Sequence, residues 1–229
     1  MKQDYEKMFW KSYSENHFWK LNDKTKVKEN SIYYDAIYNS LLPEKKSTKI
    51  LDVGSGGGHF LAYLKRRGYK NIEGVDLSPG LVEFVKKEIH PKVTNEDALS
   101  FLEKHNNEYD ILVANDIIEH LHKDRIIEFL FLCFEALKKE GTLYLKTPNM
   151  GNFFAPRNRY VDFTHSTGFT EYSLRQVCAA VGFKEVEVIA ENHTKKEPRI
   201  YKWIRKLYKL TGQDAPSILD VNLLAICKK

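Results

Sequence analysis

A run of glycines behind a short apolar stretch carries the clearest chemical signal in the chain. Residues 50–53 are apolar apart from Asp52, and four glycines lie within positions 54–58. A strand that turns into a helix through such a loop exposes bare backbone, where side chains would otherwise block a ligand. The pattern predicts a binding surface for a nucleotide-like cofactor, with Gly54 and Gly56 in contact with it.

Carboxylate or amide side chains also stand at the ends of the next three predicted strands. Asp76, followed by Leu77, lies about twenty residues beyond the glycines, where a βαβ nucleotide site binds a ribose diol. Asp97-Ala98 follows the third strand, and Asn115-Asp116 follows the fourth. Because parallel strands end at one edge of a sheet, we expect these residues to line one ligand site.

The spacing of the glycines distinguishes two kinds of cofactor. The motif G-x-G-x-x-G is typical of dinucleotide sites, whereas this loop has the spacing Gly54-x-Gly56-x-Gly58. The preceding Asp52 would repel a pyrophosphate but attract a cationic amine or sulfonium. The pattern resembles the first motif of the class I methyltransferases, which use S-adenosylmethionine. The similarity runs from about Lys49 to Gly182 and includes the element Ile118-Glu119-His120-Leu121.

The resemblance implies a role for each strand end, with S-adenosylmethionine as the cofactor. Asp76 would bind the ribose hydroxyls. The Asp97 carboxylate would accept a hydrogen bond from the adenine amino group, and the backbone amide of Ala98 would add a contact. Asn115 would lie beside the methionine portion. Asp52 would act indirectly, by holding glycine-loop amides or a water near the methionine amine.

Candidate catalytic residues come from two places. The segment 146–165 is long, turn-rich and loaded with ionisable and aromatic groups, which is typical of a functional loop. Within it, Asp162 and His165 are three positions apart, so on one helical turn the carboxylate would orient the imidazole as a general base. His120, directly after the fourth strand, is the rival base. The alternative for both histidines is structural, as a helix cap or a loop-fixing hydrogen-bond partner.

The same segment carries the candidate acceptor-binding residues Arg157, Arg159 and Tyr160. A guanidinium suits phosphate or carboxylate, which favours a small anionic acceptor, although loop arginines are often only solvated surface charges. The combination from Thr147-Pro148-Asn149 to Gly182-Phe183 resembles methyltransferases of bacterial surface-polysaccharide pathways. That resemblance implies transfer to an oxygen of a sugar or phosphoryl group of a capsule precursor. A quinone or another secondary metabolite is the alternative acceptor.

Other classes of function fit the sequence less well. Base-modifying methyltransferases have a Pro-Pro-aromatic or Pro-Cys motif where this chain has Asn115-Asp116-Ile117-Ile118, and a net charge of +5 is small for binding nucleic acid. The glycine spacing disfavours a nicotinamide oxidoreductase, and the crowded segment 147–165 disfavours a non-catalytic Rossmann-like module. We expect no bound metal, although Asp116, Asp162 and His165 are oxygen and imidazole ligands that would suit one if they converged.

A sheet must position these residues. After Pro43 the apolar pattern alternates between runs typical of strands and runs typical of helices. Alternation predicts an α/β fold with parallel strands and helices on both faces. The class I resemblance implies a Rossmann-like, doubly wound, mostly parallel sheet of seven strands that ends in an antiparallel pair. We expect strands at 49–53, 71–75, 92–94, 109–114, 141–146, 184–190 and 219–226, and helices near 58–67, 79–88, 98–104, 122–138 and 171–181.

The chain divides into an N-terminal extension, 1–48, and a methyltransferase domain, 49–229. Apolar residues recur at helical spacing from Ile32 to Leu42, which predicts a helix packed on the sheet. The aromatic residues between Tyr5 and Trp19 are interpreted as a lid or as simple packing. The basic, aromatic-rich segment 195–209 predicts an amphipathic helix with snorkelling lysines, a membrane-surface or anionic-substrate patch being the alternative.

Composition is typical of a soluble globular protein. The 229 residues are 42% hydrophobic and 29% charged, which suits one α/β domain. No apolar run reaches spanning length and no signal peptide is evident, so we expect no stable membrane insertion and a cytoplasmic location. Three scattered cysteines, Cys133, Cys178 and Cys227, are interpreted as reduced buried thiols. The sequence leaves the oligomeric state open.

Overall fold

A seven-stranded mixed sheet organises the part of the chain that the structure describes. The computed structural model describes the backbone of residues 24–229 and the side chains of residues 30–229. The order across the sheet is β3-β2-β1-β4-β5-β7-β6. The strands are β1 (Lys49–Val53), β2 (Asn71–Asp76), β3 (Val93–Asn95), β4 (Tyr109–Asn115), β5 (Leu137–Pro148), β6 (Glu185–Ala190) and β7 (Asn222–Lys228).

Strands β1 to β5 are parallel, and β7 runs antiparallel to both β5 and β6. The predicted α/β fold, with its mostly parallel sheet and antiparallel final pair, is confirmed. The helices are α1 (Lys24–Tyr38), α2 (His59–Arg66), α3 (Pro79–Glu88), α4 (Ala98–Leu102), α5 (Lys123–Ala136), α6 (Ala155–Tyr160), α7 (Glu171–Ala180) and α8 (Arg199–Leu210), with a 3₁₀ turn at Ile118–His120.

Neighbouring residues of the central strands pack into two separate layers of core. Ile50 packs in the layer that contains Phe60 of α2, on the side of α1, α2 and α3. Leu51 points to the other layer, with Phe129 of α5 and Leu174 of α7. Because successive side chains of a strand point to opposite faces, a sheet with apolar residues at consecutive positions needs helices on both sides.

The segment 146–165, expected to be a long, turn-rich loop, contains regular structure in two places. β5 continues to Pro148, and residues 155–160 form α6. Pro156 lies in the first turn of α6, where its fixed φ suits a helix and its missing N–H leaves no bond unmade. β5 also begins earlier than expected, at Leu137, which pairs with Tyr109 ahead of a register shift.

The predicted N-terminal helix is present as α1 and packs where the spacing indicated. Tyr34 and Tyr38 contact the ring of Phe60, at centroid distances of 5.1 and 5.0 Å, and Tyr38 also contacts Tyr144 of β5 at 6.0 Å. The helix ends at Tyr38, before Leu41 and Leu42. The aromatic residues between Tyr5 and Trp19 lie outside the described residues, so the lid interpretation and the division at residue 48 stay predictions.

The three cysteines are free and buried, as expected. In the described part of the chain, no helix has the length and apolar character needed to cross a bilayer.

Candidate cofactor and active site

Three glycines between β1 and α2 have left-handed backbone conformations, for different reasons. Gly54, Gly56 and Gly58 have φ values of 71°, 50° and 72°. A Cβ at Gly58 would lie 2.8 Å from Val85 and one at Gly54 would lie 3.0 Å from Ile117, so close packing requires both glycines. A Cβ at Gly56 would meet nothing within 4 Å. Gly56 therefore leaves open space beside bare backbone.

That space belongs to a cavity of about 520 Å³, within the usual range for a small-molecule site. It lies at the carboxyl ends of β1, β2 and β4, where a doubly wound sheet binds its ligands. The structure brings to its wall every residue predicted for cofactor binding: Asp52, Gly54, Gly56, Asp76, Leu77, Asp97, Ala98 and Asn115.

Asp76 connects the end of β2 to the glycine loop. Its Oδ2 accepts a hydrogen bond from the backbone N–H of Gly56, and its Oδ1 accepts one from the N–H of Ser78, each at 2.8 Å. Burial raises the pKa of this carboxyl, and the two N–H donors oppose that effect. Each carboxylate oxygen has a further lone pair, so Asp76 can hold the loop and still accept from a ligand diol.

Asp52, one strand away, is 2% exposed. Burial, and secondly the charge of Asp76, raises the pKa of Asp52 to about 8. A carboxyl in such surroundings gains most from a cationic ligand, because an opposite charge offsets the desolvation of its ionised form.

Asp97 caps the N-terminus of α4. Its Oδ1 accepts from the backbone N–H groups of Leu99 and Ser100, both at 3.2 Å, and Arg125 of α5 donates to the same oxygen at 3.3 Å. Arg125 also lines the cavity. The cap orients the carboxylate and the amide of Ala98 at one end of the cavity, a contribution of α5 that strand-end reasoning did not identify.

Polar atoms without partners on the cavity-lining residues fit a polar ligand such as S-adenosylmethionine. The Tyr38 hydroxyl donates to Asn115 Oδ1 at 2.5 Å, which fixes the amide so that Nδ2 remains as the donor. In the described part of the chain, Asn115 Nδ2, Ser55 Oγ and Ser78 Oγ are buried without a hydrogen-bond partner. Buried polar atoms normally have partners, so a ligand that supplies acceptors and donors would satisfy a real deficit.

A buried charge network behind the cavity was not predicted. Lys146, at the end of β5, is 3% exposed; it forms an ion pair with Asp116, and Glu191 lies 4.0 Å away. Burial alone would lower the pKa of Lys146, but Asp116 and Glu191 hold it above its usual range. Tyr33 of α1 donates to Glu191. A lysine at the end of an apolar strand was the available signal; Glu191 lies too far along the chain to be linked to it.

Asp116, the member of this network that pairs with Lys146, has an unfavourable backbone conformation. Its φ is 54°, in the left-handed region that non-glycine residues seldom occupy. Its N–H donates to the Lys146 carbonyl oxygen at 3.0 Å. Asp116 and Tyr33 both line the cavity. The network therefore ties α1, β4, β5 and the end of β6 to the same wall.

The two candidate bases lie side by side, and Asp162 is linked to His120 through Thr164. Asp162 Oδ1 accepts from the Thr164 hydroxyl at 2.6 Å, and the Thr164 oxygen lies 2.7 Å from His120 Nδ1. With Thr164 donating to Asp162, His120 carries its proton on Nδ1 and its lone pair on Nε2. Burial, and secondly His165, lowers the pKa of His120, which keeps the imidazole neutral near pH 7.

Asp162 and His165 do not share a helical turn, the arrangement in which the carboxylate would orient this imidazole, because α6 ends at Tyr160 and both residues lie beyond it. His165 Nδ1 lies 3.0 Å from the Asn158 carbonyl oxygen. The rings of His120 and His165 are 5.0 Å apart, and both residues line the cavity with Asp162. His165 does not cap α7, whose first turn is closed by a capping box between Thr170 and Ser173.

Arg157, Arg159 and Tyr160 lie on α6 and are not among the residues that line the cavity in the described part of the chain. Arg159 donates to the Ser166 carbonyl oxygen at 3.0 Å and lies 5.6 Å from the ring of Tyr160, which is 80% exposed. These residues flank the segment that carries Asp162 and His165, so their contact with the acceptor stays a prediction.

One cluster of this region has the composition of a metal site. Glu119, His120 and His165 each offer a ligand atom, and these atoms lie within 4.8 Å of one another. Glu119 is buried and accepts from Thr147 Oγ1 at 3.0 Å through Oε2, whereas Oε1 has no partner among the described residues. Burial, and secondly Asp116, raises the pKa of Glu119 to about 8. The sequence element containing Glu119 was recognised, but only its histidine was singled out.

The family model of the methyltransferase domain matches residues 28–188. A polyamine aminopropyltransferase of Alkaliphilus oremlandii is 29% identical over 132 residues, which cover 51% of this chain and 46% of that protein. A phosphoethanolamine N-methyltransferase of Plasmodium falciparum is 25% identical over 148 residues, which cover 62% of this chain and 55% of that protein. A ubiquinone biosynthesis O-methyltransferase of Saccharophagus degradans is 27% identical over 106 residues, 44% of each chain. The chain spans about half the length of these curated relatives.

Solved structures share the fold over nearly the whole chain. A SAM-dependent methyltransferase from Archaeoglobus fulgidus superposes with a TM-score of 0.65 at 21% identity, covering 99% of this chain and 100% of that one. Phosphoethanolamine N-methyltransferase 2 of Haemonchus contortus, in complex with S-adenosyl-L-methionine, gives a TM-score of 0.59 at 18% identity, covering 96% of this chain and 60% of that one.

Proposed function

The chain belongs to the methyltransferase-domain family and is a class I enzyme with S-adenosylmethionine as its cofactor, and from this premise we propose that it methylates an oxygen of a small, anionic acceptor. The observation that carries this proposal is the pair of imidazoles, His120 and His165, on the wall of the cofactor cavity. A hydroxyl acceptor must lose a proton as it is methylated, and a neutral imidazole near pH 7 is suited to take it.

Each strand end is proposed to hold one part of the cofactor. Asp76 accepts from the ribose hydroxyls beside Leu77, and Asp97 with the Ala98 amide contacts the adenine. Asn115 Nδ2 donates to the methionine portion, and Asp52 receives its cationic end, either directly or through loop amides or a water. Bare backbone at Gly54 and Gly56 lets the cofactor lie against the loop.

The bound cofactor supplies a methyl group already activated by the positive sulfonium, so the protein has to align the acceptor and manage one proton. We propose that His120 Nε2 takes this proton and that Asp162, acting through Thr164, is the positioning residue that sets its tautomer. The support is the continuous chain of contacts from Asp162 Oδ1 to His120 Nδ1. His165 would contact the acceptor from the adjacent wall.

The anionic character and class of the acceptor are proposed from charge and from resemblance. Arg157 and Arg159 precede the Asp162–His165 segment on α6, and the chain carries a net charge of +5. The resemblance of residues 147–183 to surface-polysaccharide enzymes favours a sugar or phosphoryl oxygen of a capsule precursor. A quinone-type acceptor is the alternative, supported by the ubiquinone biosynthesis relatives. A nucleic-acid acceptor is the least favoured.

Two further parts of the proposal concern the surroundings of the site. The N-terminal extension is proposed as a lid, because Tyr33 and Tyr34 of α1 already line the cavity. The cytoplasm is the proposed location, since three buried free thiols suit a reducing compartment.

Release of S-adenosylhomocysteine tests the acceptor class directly. The protein is incubated with S-adenosylmethionine and, separately, nucleotide-activated sugars, sugar phosphates, catechol-type quinone precursors, the amine phosphoethanolamine and a transfer RNA. We expect turnover with an oxygen acceptor that carries phosphate or carboxylate, and an O-methyl signal in the product by NMR. Turnover confined to an amine acceptor, with an N-methyl product, would contradict the proposal while leaving the family assignment intact.

A metal-assisted version of the same reaction is the second candidate, because Glu119, His120 and His165 form a cluster of suitable ligands. The proposed base mechanism needs no metal. We therefore expect turnover to survive EDTA followed by gel filtration. Loss of turnover that Mn²⁺, Fe²⁺ or Zn²⁺ restores, together with a loss of metal content in Glu119→Gln, would select the metal-assisted version.

A further inference from the structure

Helix α8 presents large apolar side chains away from the body of the protein. It lies in the connection between β6 and β7, and none of its residues is buried. Ile200, Trp203, Leu207 and Leu210 are 57%, 64%, 58% and 83% exposed. At about 100° per residue these four positions fall within one quadrant of the helix. No described residue covers this stripe.

The opposite side of α8 faces the protein through half-buried residues, Tyr201, Ile204, Arg205 and Tyr208. Arg205 makes two hydrogen bonds to the Glu197 carboxylate, at 2.6 and 2.7 Å, and one to the Ser217 carbonyl oxygen at 3.1 Å. A surface helix of a soluble protein normally turns its most apolar stripe inward. Here the half-buried side carries two tyrosines, one isoleucine and Arg205, whereas four large apolar side chains face outward, so the helix is oriented for an external apolar phase.

A row of cations borders the apolar stripe on one side. Helical geometry places Arg199, Lys202, Lys206 and Lys209 together, next to the stripe, and α8 contains no acidic residue. Lys206 Nζ lies 4.7 Å from the centre of the Trp203 ring, so its aliphatic stem already follows the apolar surface. Lys195 and Lys196 precede the helix in the same connection.

We propose that α8 docks the protein on an anionic lipid surface. Leucine, isoleucine and tryptophan would enter the interface between headgroups and acyl chains, while the lysines and arginine reach the lipid phosphates. A second copy of the chain fits less well, since pairing two such faces would bring two cationic rows together. Nucleic acid fits less well because the outermost groups of the helix are aliphatic and indole surface. The contact is peripheral and needs no spanning helix.

Co-sedimentation of the full chain with vesicles tests this docking. We expect binding to phosphatidylcholine vesicles that contain phosphatidylglycerol, at least tenfold weaker binding to phosphatidylcholine alone, and weakening as salt rises. The double variant Trp203→Glu/Leu207→Glu should lose binding. The matched control is Ile127→Glu/Phe131→Glu, which places acids on half-exposed apolar residues of α5 and should bind as the natural sequence does.

Two measurements keep the test independent of folding and activity. Circular dichroism and the affinity for S-adenosylmethionine should be the same in both double variants. Trp203→Phe should still bind vesicles but lose the blue shift of tryptophan fluorescence that accompanies docking. Equal sedimentation with and without anionic lipid, or unchanged binding of Trp203→Glu/Leu207→Glu, would overturn the proposal. So would a stripe-dependent dimer in light scattering, or competition by duplex DNA that removes all vesicle binding.

Discussion

Asp76 combines two tasks that sequence reasoning had assigned only in part. Its carboxylate was predicted to bind a ribose diol, and it also holds the glycine loop through the N–H group of Gly56 and the turn before α3 through that of Ser78. Removing it would cost both the diol contact and the shape of the loop that receives the cofactor. The two effects act in the same direction on affinity.

We expect Asp76→Ala to weaken S-adenosylmethionine and S-adenosylhomocysteine by about 2–4 kcal/mol, or about 30- to 1,000-fold, because charge-assisted hydrogen bonds to the diol are lost. Isothermal titration calorimetry measures both ligands. Asp110→Ala is the control, since this carboxylate lies at the start of β4 and binds Lys49 and Lys138 instead. Unchanged affinity in Asp76→Ala would remove Asp76 from the cofactor site.

The histidine pair allows the proton path to be separated from acceptor binding. We expect His120→Ala to lower kcat by about 10²–10⁴-fold, the usual contribution of a placed base, with S-adenosylmethionine affinity unchanged. Thr164→Val should cause a smaller loss, because the Asp162–Thr164–His120 contact sets the tautomer rather than accepting the proton. Added imidazole should restore part of the turnover of His120→Ala.

His165→Ala is the matched variant for this series. A mainly KM effect supports acceptor contact, whereas a larger kcat loss than that of His120→Ala would make His165 the base. If neither variant changes kcat, the acceptor oxygen is already ionised, as in a phosphoryl or carboxylate group, and alignment alone carries the transfer.

At the scale of elements, a comparison of two glycines distinguishes the effect of backbone strain from the effect of filling the space for the cofactor. Gly56 and Gly68 both have positive φ, 50° and 87°, and a Cβ at either position would meet nothing within 4 Å. Gly56 lines the cavity, whereas Gly68 follows α2 at its far end. A side chain at either position would therefore strain the backbone, but only a side chain at Gly56 would enter the cavity.

Alanine at each position should cost about 1 kcal/mol of unfolding free energy through strain at positive φ. Only Gly56→Ala should also lower the affinity for S-adenosylmethionine, and Gly56→Val should lower it further because a branched side chain fills the open space. Urea unfolding and calorimetry measure the two quantities. Equal cofactor affinity in Gly56→Val and Gly68→Val would show that the cofactor does not lie against Gly56.

Local sequence predicted the elements whose ends coincide with glycines or prolines. The first strand was expected at 49–53 and the third helix at 79–88, and both are observed with those bounds. The final strand was expected from 219 but begins at Asn222. Leu219 is buried in the core although it lies before the strand, so its apolar side chain extended the predicted strand too far. α6 was missed because a six-residue helix is too short to show periodicity.

The residues at the strand ends that line the cavity were predictable from the topology of a parallel sheet. The charge network around Lys146 was not. Parallel strands bring their carboxyl ends together, so residues at successive ends converge whatever the loops do. The Lys146–Glu191 pair depends on β6 reaching the sheet through β7. The Asp162–Thr164–His120 contact depends on how one turn folds against another, which spacing alone does not specify.

At the scale of the whole molecule, Asp52 links the cofactor site to global stability. Its pKa is 3.8 in the absence of structure and about 8 in the folded protein. A raised pKa means that the folded state favours the protonated form. Its contribution to stability is therefore complete below pH 4 and is lost progressively as pH rises toward 8.

We expect Asp52→Asn to become more stable relative to the natural sequence as pH rises from 5 to 8, measured by urea unfolding without cofactor. Asparagine is neutral at every pH, so it avoids the cost of the buried charge. The fully opposite trend, a relative loss of stability with rising pH, would mean that the Asp52 carboxylate is ionised and well solvated in the fold. Glu185→Gln, a substitution at an exposed position on β6, should show no such trend.

The position of β7 has a consequence for how the chain is made. β6 joins the sheet through β7, yet residues 191–221 separate the two along the chain. At about 5–20 residues per second, a ribosome takes roughly 2–8 s to synthesise that stretch and β7 itself. Throughout this interval the nascent chain holds β5 with one bare edge and β6 with no strand beside it, the arrangement most prone to pair with other chains. The seven residues Asn222–Lys228, synthesised after this interval begins, thus cover the edge of β5 and give β6 its neighbour in the sheet.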